Sequence, residues 1–196
     1  MIPFQSQALQ DRFVMKILNK QDGFFVDIGS CHAVSANNSY ALESIGWNGI
    51  CVELNSEHND SYVVRHCKYI NEDATIIDYE ELLKDAPVVI DYLSIDVDEQ
   101  STEVLKKIPF GSHQFRIVTI EHDAYIHSDK YRHEQRIFLH NKGYTLMCAN
   151  VLVPVTHDTF PGSQFEDWWC KKDLIDDKYR DVLFNECYPQ QIIDKL

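Results

Sequence analysis

Residues 23–55, GFFVDIGSCHAVSANNSYALESIGWNGICVELN, constrain this chain more than any other stretch, because two short apolar runs flank one helical segment and a tight return. Phe24-Phe25-Val26 and Ile50-Cys51-Val52 are too short for helices, and each ends in a carboxylate, Asp27 and Glu53. Continuous apolar runs of this length suit strands covered on both faces. Between them, residues 37–45 carry Tyr40, Ala41 and Leu42 with Ile45 a turn beyond, and Gly46 and Gly49 frame the return around Trp47. The spacing predicts strand, helix and parallel strand, one right-handed crossover unit. Ligands of open sheets built this way lie beyond the carboxyl ends of the strands, where Asp27, Gly29 and Glu53 fall.

Two kinds of adenosine-containing cofactor compete for such a crevice. A dinucleotide brings a diphosphate against a glycine-rich turn and a helix N-terminus, and so favours backbone donors over carboxylates. Here Asp27 opens the turn, and Gly29 is followed by Ser30, Cys31, His32 and Ala33 rather than by further glycines. S-adenosylmethionine fits this pattern better. It has no phosphate, its sulfonium and amino group are cationic, and its ribose offers two hydroxyls to an acid such as Glu53.

Downstream, short apolar runs alternate with amphipathic stretches, the pattern of an α/β protein. Residues 6–18 place Ala8, Leu9, Phe13, Val14, Ile17 and Leu18 at helical spacing, an N-terminal helix over the sheet. Residues 57–66 read as a polar helix, and 68–71 as a third strand. A fourth strand over 88–95 ends in Asp96, Asp98 and Glu99, and a fifth over 116–120 ends in Glu121-His122-Asp123. A helix over 101–108 stops at Pro109. Residues 134–141 form another helix, and 144–153 and 165–170 form the last two strands, an antiparallel pair. The loop over 156–164, with His157 and Asp158, reads as a substrate lid, and Trp168 and Trp169 as core or rim residues.

At this point the chain resembles the FkbM-type S-adenosylmethionine-dependent methyltransferases. The likeness runs through FVDIGS (25–30), NNSYALESIGWNGICVELN (37–55), IDYLSIDVD (90–98), VTIEHDAY (118–125) and FEDWW (165–169), in order along most of the chain. One departure is Ala33, where many class I methyltransferases carry another loop glycine. The resemblance implies an open, mostly parallel seven-stranded sheet with helices on both faces and an antiparallel C-terminal hairpin. The organisation expected is one domain over 1–196: an N-terminal helix in 1–20, a cofactor-binding core in 23–123 and a substrate-side, sheet-closing region in 124–196. The resemblance nominates Asp73 and Ala74, after the third strand, for the adenine. With them the candidate cofactor residues are Asp27, Gly29, Ser30, His32, Asn38, Ser39, Glu53, Leu54 and Asp96; those for substrate are Asp98, His127 and Trp168. The acceptor implied is a hydroxyl on a sugar, a glycan or another small molecule.

The chemistry expected is attack of a substrate oxygen on the activated methyl group, which leaves the protein to align, exclude water and remove one proton. His122, flanked by Glu121 and Asp123, is the preferred base, since a neighbouring carboxylate raises imidazole basicity and fixes its tautomer. Asp96 is the second candidate and Glu121 completes the catalytic set. Asp96, Asp98, Glu121, His122 and Asp123 would also suit Mg²⁺, a metal-assisted alternative. An adenosine-ligand-binding module without turnover and a nicotinamide-dependent oxidoreductase are the other classes.

Composition narrows the partners. The 196 residues, 44% hydrophobic, are enough for one full core. Against 18 basic residues stand 31 acidic ones, a net charge of −13, which disfavours attraction to nucleic-acid phosphate. No apolar run is long enough to span a bilayer and no signal segment opens the chain, so the expected location is cytoplasmic, without a membrane or nucleic-acid partner. The six cysteines show no C-x-x-C pair and read as reduced thiols.

Overall fold

The structure is a computed structural model that describes residues 3–127, 129–155 and 160–196. Its centre is an eight-stranded sheet in the order β3-β2-β1-β4-β5-β7-β6-β8. The strands are β1 (Phe24–Ile28), β2 (Asn48–Glu53), β3 (Lys68–Asn71), β4 (Val89–Ile95), β5 (Gln114–Glu121), β6 (Thr145–Leu152), β7 (Gln164–Cys170) and β8 (Phe184–Asn185). Only β7 runs against its neighbours, pairing antiparallel with both β5 and β6. The sheet is therefore mostly parallel and closes with the expected hairpin. It has one strand more than the sequence implied. Phe184–Asn185 is only two residues long and adds parallel to Cys148 and Ala149 of β6, too short to leave a hydrophobic pattern.

Helices cover both faces. On one face α1 (Gln10–Leu18), α2 (Tyr40–Ser44) and α7 (Pro189–Lys195) pack Phe13, Val14, Ile17, Leu42 and Ile192 against Phe25, Cys51, Tyr92, Ile117 and Trp168. On the other, α3 (Tyr79–Leu83), α4 (Ser101–Lys107) and α6 (Asp129–Asn141) pack Tyr79, Leu83, Val104, Leu105 and Leu139 against Val26, Ile28, Val52, Leu93, Val118 and Ile120. A further short helix, α5 (Ala124–His127), follows β5. Side chains alternate between these two cores because successive strand residues point to opposite faces. The polar stretch expected as a helix at 57–66 is a 3₁₀ segment, Ser56–Val64, with Asn55 accepting from the Glu57 amide at its start. No helix among the described residues is long and apolar enough to cross a membrane.

Two close approaches fix the sheet's upper edge. Gly29, at φ 79°, lies so near the Asp96 carbonyl that a Cβ there would sit 1.7 Å from it. The Asp96 amide in turn donates to the Ile28 carbonyl at 2.9 Å, which carries the β1–β4 ladder past the strand ends.

Candidate functional site

The pleat decides which strand-end residues share a face. Asp27 shares its face with Phe25, Glu53 with Cys51, Asp96 with Tyr92 and Glu121 with Ile117, all partners in the core under α1. Five strand-end acids, counting Glu166 on β7 directly opposite Glu121, thus come to one side. A crevice of about 610 Å³ opens above them, bounded by Gly29, Cys31, Ala36, Val52, Glu53 to Asn55, Glu72 to Ala74, Asp96 to Gln100, Asp123, Ile126 and Gln7. Seven of these side chains are carboxylates and none is lysine, arginine or histidine. A larger hollow of about 730 Å³ lies outside β2 and β3 beside α3. It is remote from the carboxyl ends of β4 and β5, so the strand-end crevice is the candidate site.

Asp27 lies one layer beneath this crevice, fully buried, and neither of its carboxylate oxygens receives a hydrogen bond of normal geometry. Burial pushes its pKa up to about 6; Ser39, Arg65 and Ser94 offset part of that shift, and the charge of Asp96 adds to it. Asn38 spends its amide on Ser94 Oγ at 2.9 Å and leaves Oδ1 buried and unpaired. Asp27, approached only by the hydroxyls of Ser39 and Ser94, and Asn38 Oδ1 leave acceptor capacity that fits a cation or a donating water.

The turn over this pair is held from below by a residue that no sequence motif announced. Arg65 is buried, its Nε 2.6 Å from Glu43. Nη1 donates to the Ala33 carbonyl and Asn37 Oδ1, and Nη2 to Ser39 Oγ. Ser39 and Ser30 are therefore structural: Ser30 Oγ meets the Tyr62 hydroxyl at 2.6 Å. His32 spends Nδ1 on the Val34 and Ser35 amides and does not border the crevice. Glu53, at the end of β2, accepts from the Cys31 amide at 2.8 Å and the Asn55 amide at 2.7 Å, which fixes both oxygens at the rim. Leu54 is exposed beside it. Asp73 takes two hydrogen bonds from Thr75, and these hold its carboxyl below the usual range; Ala74 follows, buried.

At the β4 and β5 ends, Asp96 and Glu121 form a carboxyl pair. Burial pushes both up, the contact between them lowers Asp96 and raises Glu121, and Asp123 raises both. Both carboxyls therefore hold a proton more readily than free acids do, Glu121 the more strongly. Glu166 stands behind them, fully buried, and accepts from Gln10 Nε2 at 3.0 Å; burial raises it well above the usual range. Glu166 stood inside the FEDWW stretch without a role of its own and Gln10 carried no mark, because their partnership spans 156 residues.

His122 is a correction. Adjacent residues on an extended chain face opposite ways, so with Glu121 toward the crevice His122 points to the α6 side. Its Nδ1 accepts from the Ala124 amide at 3.2 Å and its Nε2 lies 3.7 Å from Asp167. Burial alone would raise Asp167, but the bidentate Arg136 and His122 outweigh it and hold the carboxyl at about 2. This is an ionic post under the sheet, without access to a substrate proton. Trp168 is corrected likewise: fully buried, with its ring 4.5 Å from Phe13, it packs the α1 core rather than a substrate wall. Asp98, in contrast, borders the crevice. The side chain of His127 lies outside the described residues, as do His157 and Asp158 of the expected lid.

Of the five residues weighed as Mg²⁺ ligands, Asp98, Glu121 and Asp123 converge, with carboxylate oxygens within 4.8 Å of one another. His122 cannot join them. Acidic groups of this kind are common without an ion, and the cluster by itself assigns no metal.

No protein-family model and no curated protein matches the chain. Solved structures do. An O-methyltransferase from Bacillus cereus in complex with S-adenosylhomocysteine aligns over 87% of this chain and 84% of its own, with TM-score 0.57 and 9% identity. A precorrin-6y C5,15-methyltransferase from Geobacter metallireducens covers 82% and 87%, with TM-score 0.52 and 17% identity. S. pombe Dnmt2 methyltransferase matches 75% of this chain and 48% of its own, with TM-score 0.52 and 15% identity. The chain has the Rossmann-like α/β fold of the class I S-adenosylmethionine-dependent methyltransferases.

Proposed function

We propose that this protein transfers a methyl group from S-adenosylmethionine to a hydroxyl of a sugar, glycan or other small molecule, in the manner of the FkbM-type enzymes it resembles. The observation that carries the reading is the crevice itself: among the described residues seven carboxylates and no lysine, arginine or histidine border it, above a fully buried Asp27. Such a site repels a diphosphate and favours a ligand with a sulfonium and an ammonium. Four of the five motifs that support the FkbM likeness end at this crevice, on β1, β2, β4 and β5, and the fifth, FEDWW, lies on β7.

S-adenosylmethionine supplies a methyl group already activated by its sulfonium. Glu53 would accept from the ribose hydroxyls, and Asp73 and Ala74 would border the adenine. Asp27 and Asn38 Oδ1 offer acceptors to the ammonium, directly or through one water. Gly29 lets the turn approach closely where any Cβ would strike Asp96. Asp96 takes over the role of base. Its raised pKa gives it more affinity for a proton than an ordinary carboxylate has, and Glu121 beside it can share that proton. With the cofactor bound, Asp96 would take the hydroxyl proton as the acceptor oxygen received the methyl group, the carbon–sulfur pair remaining with the cofactor's sulfur.

The test is turnover with methyl-labelled cofactor and a panel of sugars and glycans. The expected result is labelled methyl ether in step with S-adenosylhomocysteine, with Asp96→Asn slower by about 10²–10⁴-fold. Cofactor binding with no labelled product from any hydroxylated acceptor would point instead to a silent binding module.

A further inference from the structure

The crevice ends in an apolar wall. α5, just beyond β5, carries Tyr125 and Ile126, and Ile126 borders the crevice together with Asp123. The Tyr125 ring lies 5.3 Å from the Phe160 ring, centroid to centroid, at an angle of 49°. All three side chains stand in the open: Tyr125 is 38% exposed, Ile126 55% and Phe160 58%. The Tyr125 hydroxyl bonds to Asp123, and burial together with the charges of Asp123 and Glu121 raises its pKa, so it remains a neutral phenol. That bond ties the ring beside the carboxyls and leaves apolar ring surface uncovered next to the crevice.

Shape and charge together define what this wall can take. Two rings tilted against each other offer a face and an edge, the arrangement in which a third ring gains offset or edge-to-face contact with both. Leu54, another exposed apolar side chain at the crevice, lies beside Glu53 at the end proposed for the ribose, so the aromatic wall falls to the acceptor. Seven carboxylates border the same crevice and, among the described residues, no lysine, arginine or histidine does. An acceptor with a phosphate or carboxylate of its own is therefore repelled, whereas an uncharged one is not.

We infer that the methyl acceptor is an uncharged aryl glycoside, whose aromatic ring packs on Tyr125, Ile126 and Phe160 while its sugar presents a hydroxyl to Asp96. The inference rests on the methyltransferase reading above and narrows its acceptor from sugars in general to sugars joined to an aromatic group. Tyr125, Ile126 and Phe160 then select the acceptor, and Asp96 with Glu121 handles the proton. A free sugar fills only the acid end and leaves the wall bare, so it binds more weakly.

The experiment is calorimetric titration of the full chain, saturated with S-adenosylhomocysteine, with phenyl, cyclohexyl and methyl β-glucoside and with phenyl β-glucuronide. The three glucosides share their hydroxyls and differ in the apolar group, and the glucuronide adds one negative charge. Phenyl glucoside is expected to bind at least tenfold more tightly than methyl glucoside or phenyl glucuronide, and at least threefold more tightly than cyclohexyl glucoside. Phe160→Ala, at an exposed position, is expected to lose most of the phenyl-over-methyl preference, and Phe160→Trp to keep it. In both variants affinity for S-adenosylhomocysteine should stay within twofold of wild type, which also reports correct folding. Absence of phenyl glucoside binding, equal binding of phenyl and methyl or of phenyl and cyclohexyl glucoside, equal binding of the glucuronide, or a preference that survives Phe160→Ala overturns the inference and leaves the cofactor reading standing. Failure of S-adenosylhomocysteine itself to bind overturns both.

Discussion

Replacing Asp27 by asparagine should make the cofactor-free protein more stable and the cofactor complex weaker. The native carboxyl has a pKa of about 6 against 3.8 for the free group, chiefly because burial penalises its charged form. Between those two values the unfolded chain releases its proton while the native one keeps it, so the native state binds more protons and stability falls as pH rises. At about 1.4 kcal/mol per unit, the ionised carboxylate costs the fold on the order of 3 kcal/mol above pH 6, and nothing well below pH 3.8. Asparagine is nearly isosteric and cannot ionise. Urea denaturation of both proteins at pH 4 and pH 8 is the assay. The variant should gain up to about 3 kcal/mol at pH 8, with a much smaller difference at pH 4. In the same preparations S-adenosylhomocysteine should bind the variant at least tenfold more weakly, about 1.4 kcal/mol. A variant that is less stable than wild type at pH 8, with no dependence of the difference on pH, would refute the account of Asp27 as a buried charge retained for a ligand.

Three further outcomes follow from the same geometry. Gly29→Ala puts a Cβ 1.7 Å from the Asp96 carbonyl in left-handed backbone, so it should lose more than about 2 kcal/mol by urea denaturation and all measurable cofactor binding. Arg65→Met strips a buried guanidinium from Glu43 and from the turn at Ala33 and Asn37. Calorimetric unfolding should show a loss of about 3–5 kcal/mol, and Arg65→Lys should restore little, since an ammonium cannot reach the same set of acceptors. The kcat–pH profile should rise through a value above the ordinary carboxylate range, as Asp96 loses its proton, and then level off. His122→Gln should keep that inflection and Asp96→Asn should abolish it; the opposite pattern would return the base to the imidazole.

Much of the architecture was legible because apolar runs and punctuation are local signals. The crossover from Phe24 to Glu53, the strand ending at Asp96 and the strand ending at Glu121 all follow from runs bounded by acids and glycines. What the sequence concealed was direction. Glu121, His122 and Asp123 read as one polar cluster, yet the pleat sends His122 to the far face, and the left-handed turn at Asp123 brings that acid back to the crevice. The tryptophan pair divides in the same way, with Trp168 in the core under α1 and Trp169 in the core under α6. The roles of Arg65, Gln10 and Glu166 were hidden because they depend on partners brought together only by the tertiary fold. A polar residue that reads as solvated on its own stretch becomes structural once its acceptors lie 22 residues or more away.

The most direct measurement is calorimetric titration of S-adenosylhomocysteine into wild-type protein and into Glu53→Ala and Asp27→Asn variants, with NAD as the competing ligand. The account predicts saturable one-to-one binding by the wild type, unaffected by NAD, and affinity at least tenfold weaker in each variant. Wild-type protein that binds no S-adenosylhomocysteine, or that binds it with an affinity neither substitution changes, would contradict the assignment of the strand-end crevice as the cofactor site.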